Sequence, residues 1–154
     1  MSDRPENNPY TFNEFLQWRN GLDYYRDDPF IRKTIRRFAG DEWESIDAEA
    51  RRLSPVVSFR WREMAESAAL PEKRPWMAHY DGHHNRIDRI VRPREVEIME
   101  REIFSEKLFS SGTSPMTKLM KMYLSYQNGE ACIACPLTCT EGMVAILERF
   151  ADTP

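Results

Sequence analysis

The feature that most restricts this fold is helix punctuation: Asp28-Pro29, Ser54-Pro55, Arg92-Pro93 and Ser114-Pro115 each precede a stretch with apolar residues every three or four positions. A proline loses nothing at the first helical position, because the amide it lacks has no acceptor inside the helix. Thr11 and Glu14 fit a capping box for a helix from about Phe12 to Asn20, with Gly21 as its stop. After Asp28-Pro29, the stripe Ile31, Ile35 and Phe38 predicts a second helix ending at Gly40. Asp41 is placed to cap a third helix bearing Trp43, Ile46, Ala50 and Leu53. Ser54-Pro55 interrupts that stripe, which resumes through Val57, Trp61, Met64 and Ala68, so one kinked helix and two separate ones both remain open.

From Leu70 to Arg92 the helical period disappears, and Pro71, Pro75, the following Pro93 and the turn dipeptide Asp81-Gly82 mark an extended connection. The alternation across Arg86–Ile90 permits a short strand or hairpin arm, which needs a partner strand. Pro93 then opens a helix with Val96, Met99, Ile103, Phe104 and Leu108 inward, running to about Phe109. Ser114-Pro115 starts the next, with Met116, Leu119, Met120, Tyr123 and Leu124 inward, and Asn128-Gly129 closes it. The last helix is expected from near Pro136 to about Ala151, and Met143, Val144, Ile146, Leu147 and Phe150 leave it almost no polar face. The sum is an all-α, up-and-down bundle with an irregular extended arm around residues 70–92. Residues 1–40 read as a helical extension and 41–154 as the main helical domain.

With 154 residues, one core is expected, burying roughly 70% of the unfolded surface. A net charge of -3 offers no general attraction for nucleic acid, and the basic stretches near RRFAG and Arg86–Arg94 alternate with acids as solvated faces do. No run approaches the roughly 18 apolar residues of a bilayer crossing, and the start MSDRPENNPY is polar and acidic, unlike a signal peptide. The expected setting is the cytoplasm, without membrane or nucleic-acid partners.

Cys132, Cys135 and Cys139 lack the second ligand pair of a structural zinc site, though His79, His83 or His84 could complete one. Cys135-Pro136 at a helix start would favour thiol ionisation, but the βαβ surroundings of a thioredoxin-like centre are missing. The favoured reading treats the cysteines as small buried hydrophobes. Asp81-Gly82 between His79 and His83 argues against a helical metal pair and for a turn with exposed imidazoles. Met116, Met120 and Met122 read as core filler. No phosphate-binding glycine loop, G-x-S-x-G elbow or H-E-x-x-H motif occurs.

Two passages, HYDGHHNRIDRIVRPREVEIM and GEACIACPLTCTEGMVAILE, together resemble the acyl-CoA dehydrogenase family, closest to its larger and alkylation-response-like branch. The first is similar to that branch's arm, with His83 where the pattern has tryptophan and Arg92 where it has the histidine before proline. The second is similar to the Cys-Pro-x-(Ser/Thr)-x-Thr segment opening the last helix of the family's N-terminal α domain, matched by Cys135, Pro136, Thr138 and Thr140. The likeness covers roughly Asp41–Pro154.

The resemblance implies that a β domain and a second helical domain hold FAD and supply the catalytic carboxylate. It implies no FAD on this chain alone, and Glu130 or Glu141 should not be promoted to catalytic base. Cys135, Pro136, Leu137, Thr138 and Thr140 become candidates for a wall of the acyl-CoA pocket. The expected partners are those two domains or a partner subunit, and the complete enzyme, an oligomer in fatty acid metabolism, would oxidise an acyl-CoA to a 2-enoyl-CoA. Independently, an all-round apolar last helix ending in Asp152-Thr153-Pro154 without a glycine stop reads as interrupted, its surface seeking a neighbour. The competing expectations are a non-enzymatic helical interaction or oligomerisation module and a redox or metal protein built on the cysteines.

Overall fold

The computed structural model describes residues 11–151. The acidic start and the closing Asp152-Thr153-Pro154 lie largely or wholly outside the described residues. The architecture is all-helical with one small hairpin: α1 (Asn13–Asn20), α2 (Pro29–Phe38), α3 (Trp43–Pro55), α4 (Arg62–Ala68), β1 (Trp76–Tyr80), β2 (Arg86–Val91), α5 (Arg94–Ser105), α6 (Pro115–Tyr126) and α7 (Ala131–Phe150). The expected arm is thus an antiparallel hairpin, pairing Trp76 with Val91, Met77 with Ile90 and Ala78 with Arg89, then shifting register before Tyr80 pairs with Arg86.

Several helix ends follow the local chemistry. Asp28 Oδ1 accepts from the Phe30 and Ile31 amides at 2.9 and 3.1 Å, and Ser114 Oγ accepts from the Thr117 amide at 3.2 Å. Gly40 and Gly129 take φ of 55° and 67°, the left-handed geometry that glycine enters without a Cβ penalty. Two expected caps do not form. Thr11 Oγ1 accepts from Asn13 at 3.3 Å instead of completing a box with Glu14, and a short 3₁₀ turn, Gly40–Glu42, occupies the place where Asp41 was expected to cap.

The Ser54-Pro55 question resolves into one continuous helical path. Pro55 lies inside α3, and the wider π turn Val56–Trp61 leads directly into α4. Proline removes an amide and crowds the preceding turn, and a local widening is one way a helix passes it without breaking. The path presents Ser54 and Ser58 to the segment before α2: the Tyr25 amide donates to Ser54 Oγ at 3.0 Å and the Tyr24 amide to Ser58 Oγ at 2.8 Å. Asp23 completes the junction by accepting from the Tyr25 and Arg26 amides at 3.0 and 2.9 Å and from the Ser54 hydroxyl. Buried Arg62 fastens the end of α1, donating to Asn20 Oδ1 at 2.5 Å.

The core gathers Tyr25 and Ile35 from the first forty residues with Ile46, Leu53, Val57, Trp61, Met99, Ile103, Leu108, Met120, Leu124 and Leu137. Met116 and Met122 pack against it, as core filler would. Leu119, expected inward, is 61% exposed because α6 turns its Met120, Lys121 and Leu124 face to the bundle. Lys121 reaches its partners from this buried position, contacting Glu106 Oε2 at 2.9 Å and Glu49 at 3.2 Å.

Candidate functional site

The site to test is α7, because it holds every residue singled out as a pocket wall. Its start lies earlier than expected: Gly129 ends α6, and Glu130 caps α7 by accepting from the Cys132 amide at 2.8 Å. The helix therefore runs through Pro136 rather than beginning there. Joining the residues on both sides of that proline makes a 20-residue helix long and apolar enough, by length and composition, to cross a membrane. This corrects the expectation that no run approaches such a length.

Only Ile133 and Leu137 of α7 are buried, one turn apart and facing α5 and α6. The five candidates consequently separate. Leu137 is a core residue, Pro136 and Thr140 are half-buried, Cys135 is exposed on the far side, and Thr138 is exposed at the edge beside α6. Thr138 Oγ1 donates to the Ala134 carbonyl at 2.9 Å and meets the Tyr126 hydroxyl at 3.0 Å. Pro136 has no amide to offer the Cys132 carbonyl one turn back.

At 100° per residue, Cys135, Cys139, Gly142, Ile146 and Phe150 fall on one outward strip, flanked by Met143. Its far end is apolar and open, with Met143 59%, Ile146 57% and Phe150 70% exposed. A Cβ added at Gly142 would meet nothing within 4 Å. Such a strip is the pattern by which one helix receives another element. The hairpin adds exposed Trp76, Met77, Tyr80, Ile87 and Ile90.

Two carboxylates at α7, Glu130 and Glu141, have structural partners. Glu130 is the cap, and Glu141 pairs with Lys118 at 2.7 Å. The cysteines correct the sequence reading more sharply: Cys132 is half-buried, whereas Cys135 and Cys139 are exposed and free. Burial, followed by the neighbouring Glu130 carboxylate, pushes the Cys132 thiol up. Cys139 is also pushed up, by hydrogen bonding and then charge from the Cys135 thiol beside it. Among the described residues, no group of three or more His, Cys, Asp or Glu is arranged to hold a metal. His83 and His84 sit in an exposed turn, where Asp81 Oδ1 accepts from the His83 and Asn85 amides at 2.8 and 2.9 Å. His79 lies on β1, with Nδ1 2.8 Å from Asp88 Oδ1.

A concavity not anticipated from the sequence lies between the end of α1, the start of α2 and α6. It is a cleft of about 370 Å³ lined by Trp18, Arg19, Asp23, Tyr24, Asp28 and Tyr123 among others. Tyr123 donates to Asp28 Oδ2 at 2.8 Å, and burial together with that acceptor pushes its hydroxyl up to about 12. The run Asp23-Tyr24-Tyr25 and the pair Asp27-Asp28 were its only trace in the sequence. None of the five α7 candidates lines it. Compared with protein-family models, with curated proteins and with solved structures, the chain matches none of them.

Proposed function

We propose that this chain acts as the N-terminal helical domain of an acyl-CoA dehydrogenase-like flavoprotein. The observation that carries the reading is the outward face of α7: a helix held to the bundle through Ile133 and Leu137 while Met143, Ile146, Leu147 and Phe150 stay open. A bundle that stabilises itself through other helices and leaves this face uncovered fits a domain packed against a further domain. The Cys-Pro-x-Thr-x-Thr match lies on the same helix, and exposed Cys135 and Thr138 with half-buried Pro136 and Thr140 form its accessible wall candidates.

In this reading FAD and the proton-abstracting carboxylate belong to a sheet domain and a second helical domain, present in the same polypeptide or in a partner subunit. The reaction removes the α proton of an acyl-CoA and passes hydride from the β carbon to FAD, leaving a 2-enoyl-CoA. The residues named here bind and exclude water, and none of them is assigned a proton or hydride step. The paired state of Glu130 and Glu141 agrees with that division.

The test is to isolate the cellular product containing this sequence, record its absorption spectrum, and add octanoyl-CoA and palmitoyl-CoA without oxygen. Flavin bands that bleach with an acyl-CoA are expected. A colourless product, or a flavin that neither thioester bleaches, would overturn the proposal. The same open face favours one other reading, a non-enzymatic module docking through α7, and a colourless product in a stable protein complex would select it.

A further inference from the structure

Cys135 and Cys139 lie one helical turn apart on α7, both exposed and neither in a disulfide. Positions four apart on a helix hold their Cβ atoms about 5–6 Å from one another, so two thiols can close on one ion without moving the backbone. Their proximity is also seen in the interaction between the two thiols. The third cysteine does not join them: Cys132 is half-buried, its amide held by the Glu130 cap, whereas Cys135 and Cys139 are exposed. With no third His, Cys, Asp or Glu placed to ligate among the described residues, a tetrahedral zinc centre is not formed here. Two thiolates and no hard ligand suit a soft ion content with few ligands, and thiolate donors select Cu(I) on that basis. Met143, one turn beyond Cys139, adds an exposed thioether to the same strip.

We propose that Cys135 and Cys139 form a surface dithiol that chelates one soft monovalent ion of the Cu(I) class. Binding makes two S–Cu bonds and releases the two thiol protons, with no change in oxidation state. The site is a property of α7 in this chain and does not depend on the flavoprotein reading.

The experiment titrates the reduced full chain with Cu(I) under anaerobic conditions against a chromogenic Cu(I) chelator, with circular dichroism on every variant to verify retained helicity. One Cu(I) per chain is expected, with Cys135→Ser and Cys139→Ser each weakening binding at least tenfold and Cys132→Ser changing it less than twofold. Equal affinity in wild type, Cys135→Ser and Cys139→Ser would overturn the assignment, as would a loss in Cys132→Ser as large as theirs. Because the readout is Cu(I) affinity of the chain alone, its failure is distinct from a failure to find flavin.

Discussion

The helical path from α3 through the π turn to α4 and the single helix α7 are both long, both apolar on at least one face and both contain a proline, yet they have opposite fates. The first buries Ile46, Ala50, Leu53, Val57, Trp61 and Ala65, while its outward side is laced by ion pairs such as Arg52 with Glu106 and Arg60 with Glu102. The second buries Ile133 and Leu137 alone. Apolar content therefore does not predict burial; the number of elements arranged around a helix does. For α7, α5 and α6 supply one side near its start, and the strip ending in Phe150 stays exposed among the described residues.

Truncation at matched places is the strongest way to break this comparison. Trp61→Ala removes a fully buried ring and the 2.7 Å bond from its Nε1 to Glu102, with an expected loss of about 3–5 kcal/mol in urea unfolding. Ile146→Ala should stay within about 0.5 kcal/mol. A loss above about 1 kcal/mol at Ile146 would mean that the far half of α7 is packed within the chain and would erase the contrast.

Acid sharpens the contrast at intermediate size, since three carboxylates outside the first region are held by its side chains: Asp23 by Ser54, Glu102 by Arg60 and Trp61, and Glu106 by Arg52. Burial pushes the Asp23, Glu102 and Glu106 carboxyls up, but their hydrogen bonds outweigh it: Asp23 from the Arg26 and Tyr25 amides and Ser54, Glu102 from Arg60 and Trp61, Glu106 from Arg52 and Lys121. Each folded pKa therefore lies below its unfolded value, so the stabilisation is complete above the unfolded carboxylate range of about 4 and disappears as pH falls through the folded values. A melting temperature level from pH 7 to about pH 5, dropping by several degrees below about pH 4, is the expected thermal-melt result. A melting temperature that rose in acid would reverse the sign.

The smallest effect concerns Gly142. Its open surroundings predict that Gly142→Ala raises stability by up to about 1 kcal/mol, because alanine restricts the unfolded chain and fits the helix. A destabilised variant would reveal a close neighbour at that position.

How much was legible can be read from particular residues. Asp28-Pro29 and Ser114-Pro115 announced their helices because a capping oxygen and a proline act on the nearest amides, within reach of local sequence. The Ser54-Pro55 junction was ambiguous because a proline can end a helix or be absorbed by a π turn, and here the docking of Tyr24 and Tyr25 onto Ser58 and Ser54 accompanies the second outcome. The cysteines misled because their type favours burial, while α7 turns two of them away from the face it packs on α5 and α6. The acidic, aromatic cleft escaped notice because Asp28 and Tyr123 are 95 positions apart and meet only in the fold.

Periodicity and punctuation thus settled the helical class, most element starts and the apolar surplus of the last helix, since each depends on interactions spanning a few residues. Which faces are covered, where α7 begins, and that Cys135 and Cys139 point outward followed from the packing of α5, α6 and α7, because burial is a relation between distant segments and no single segment contains it.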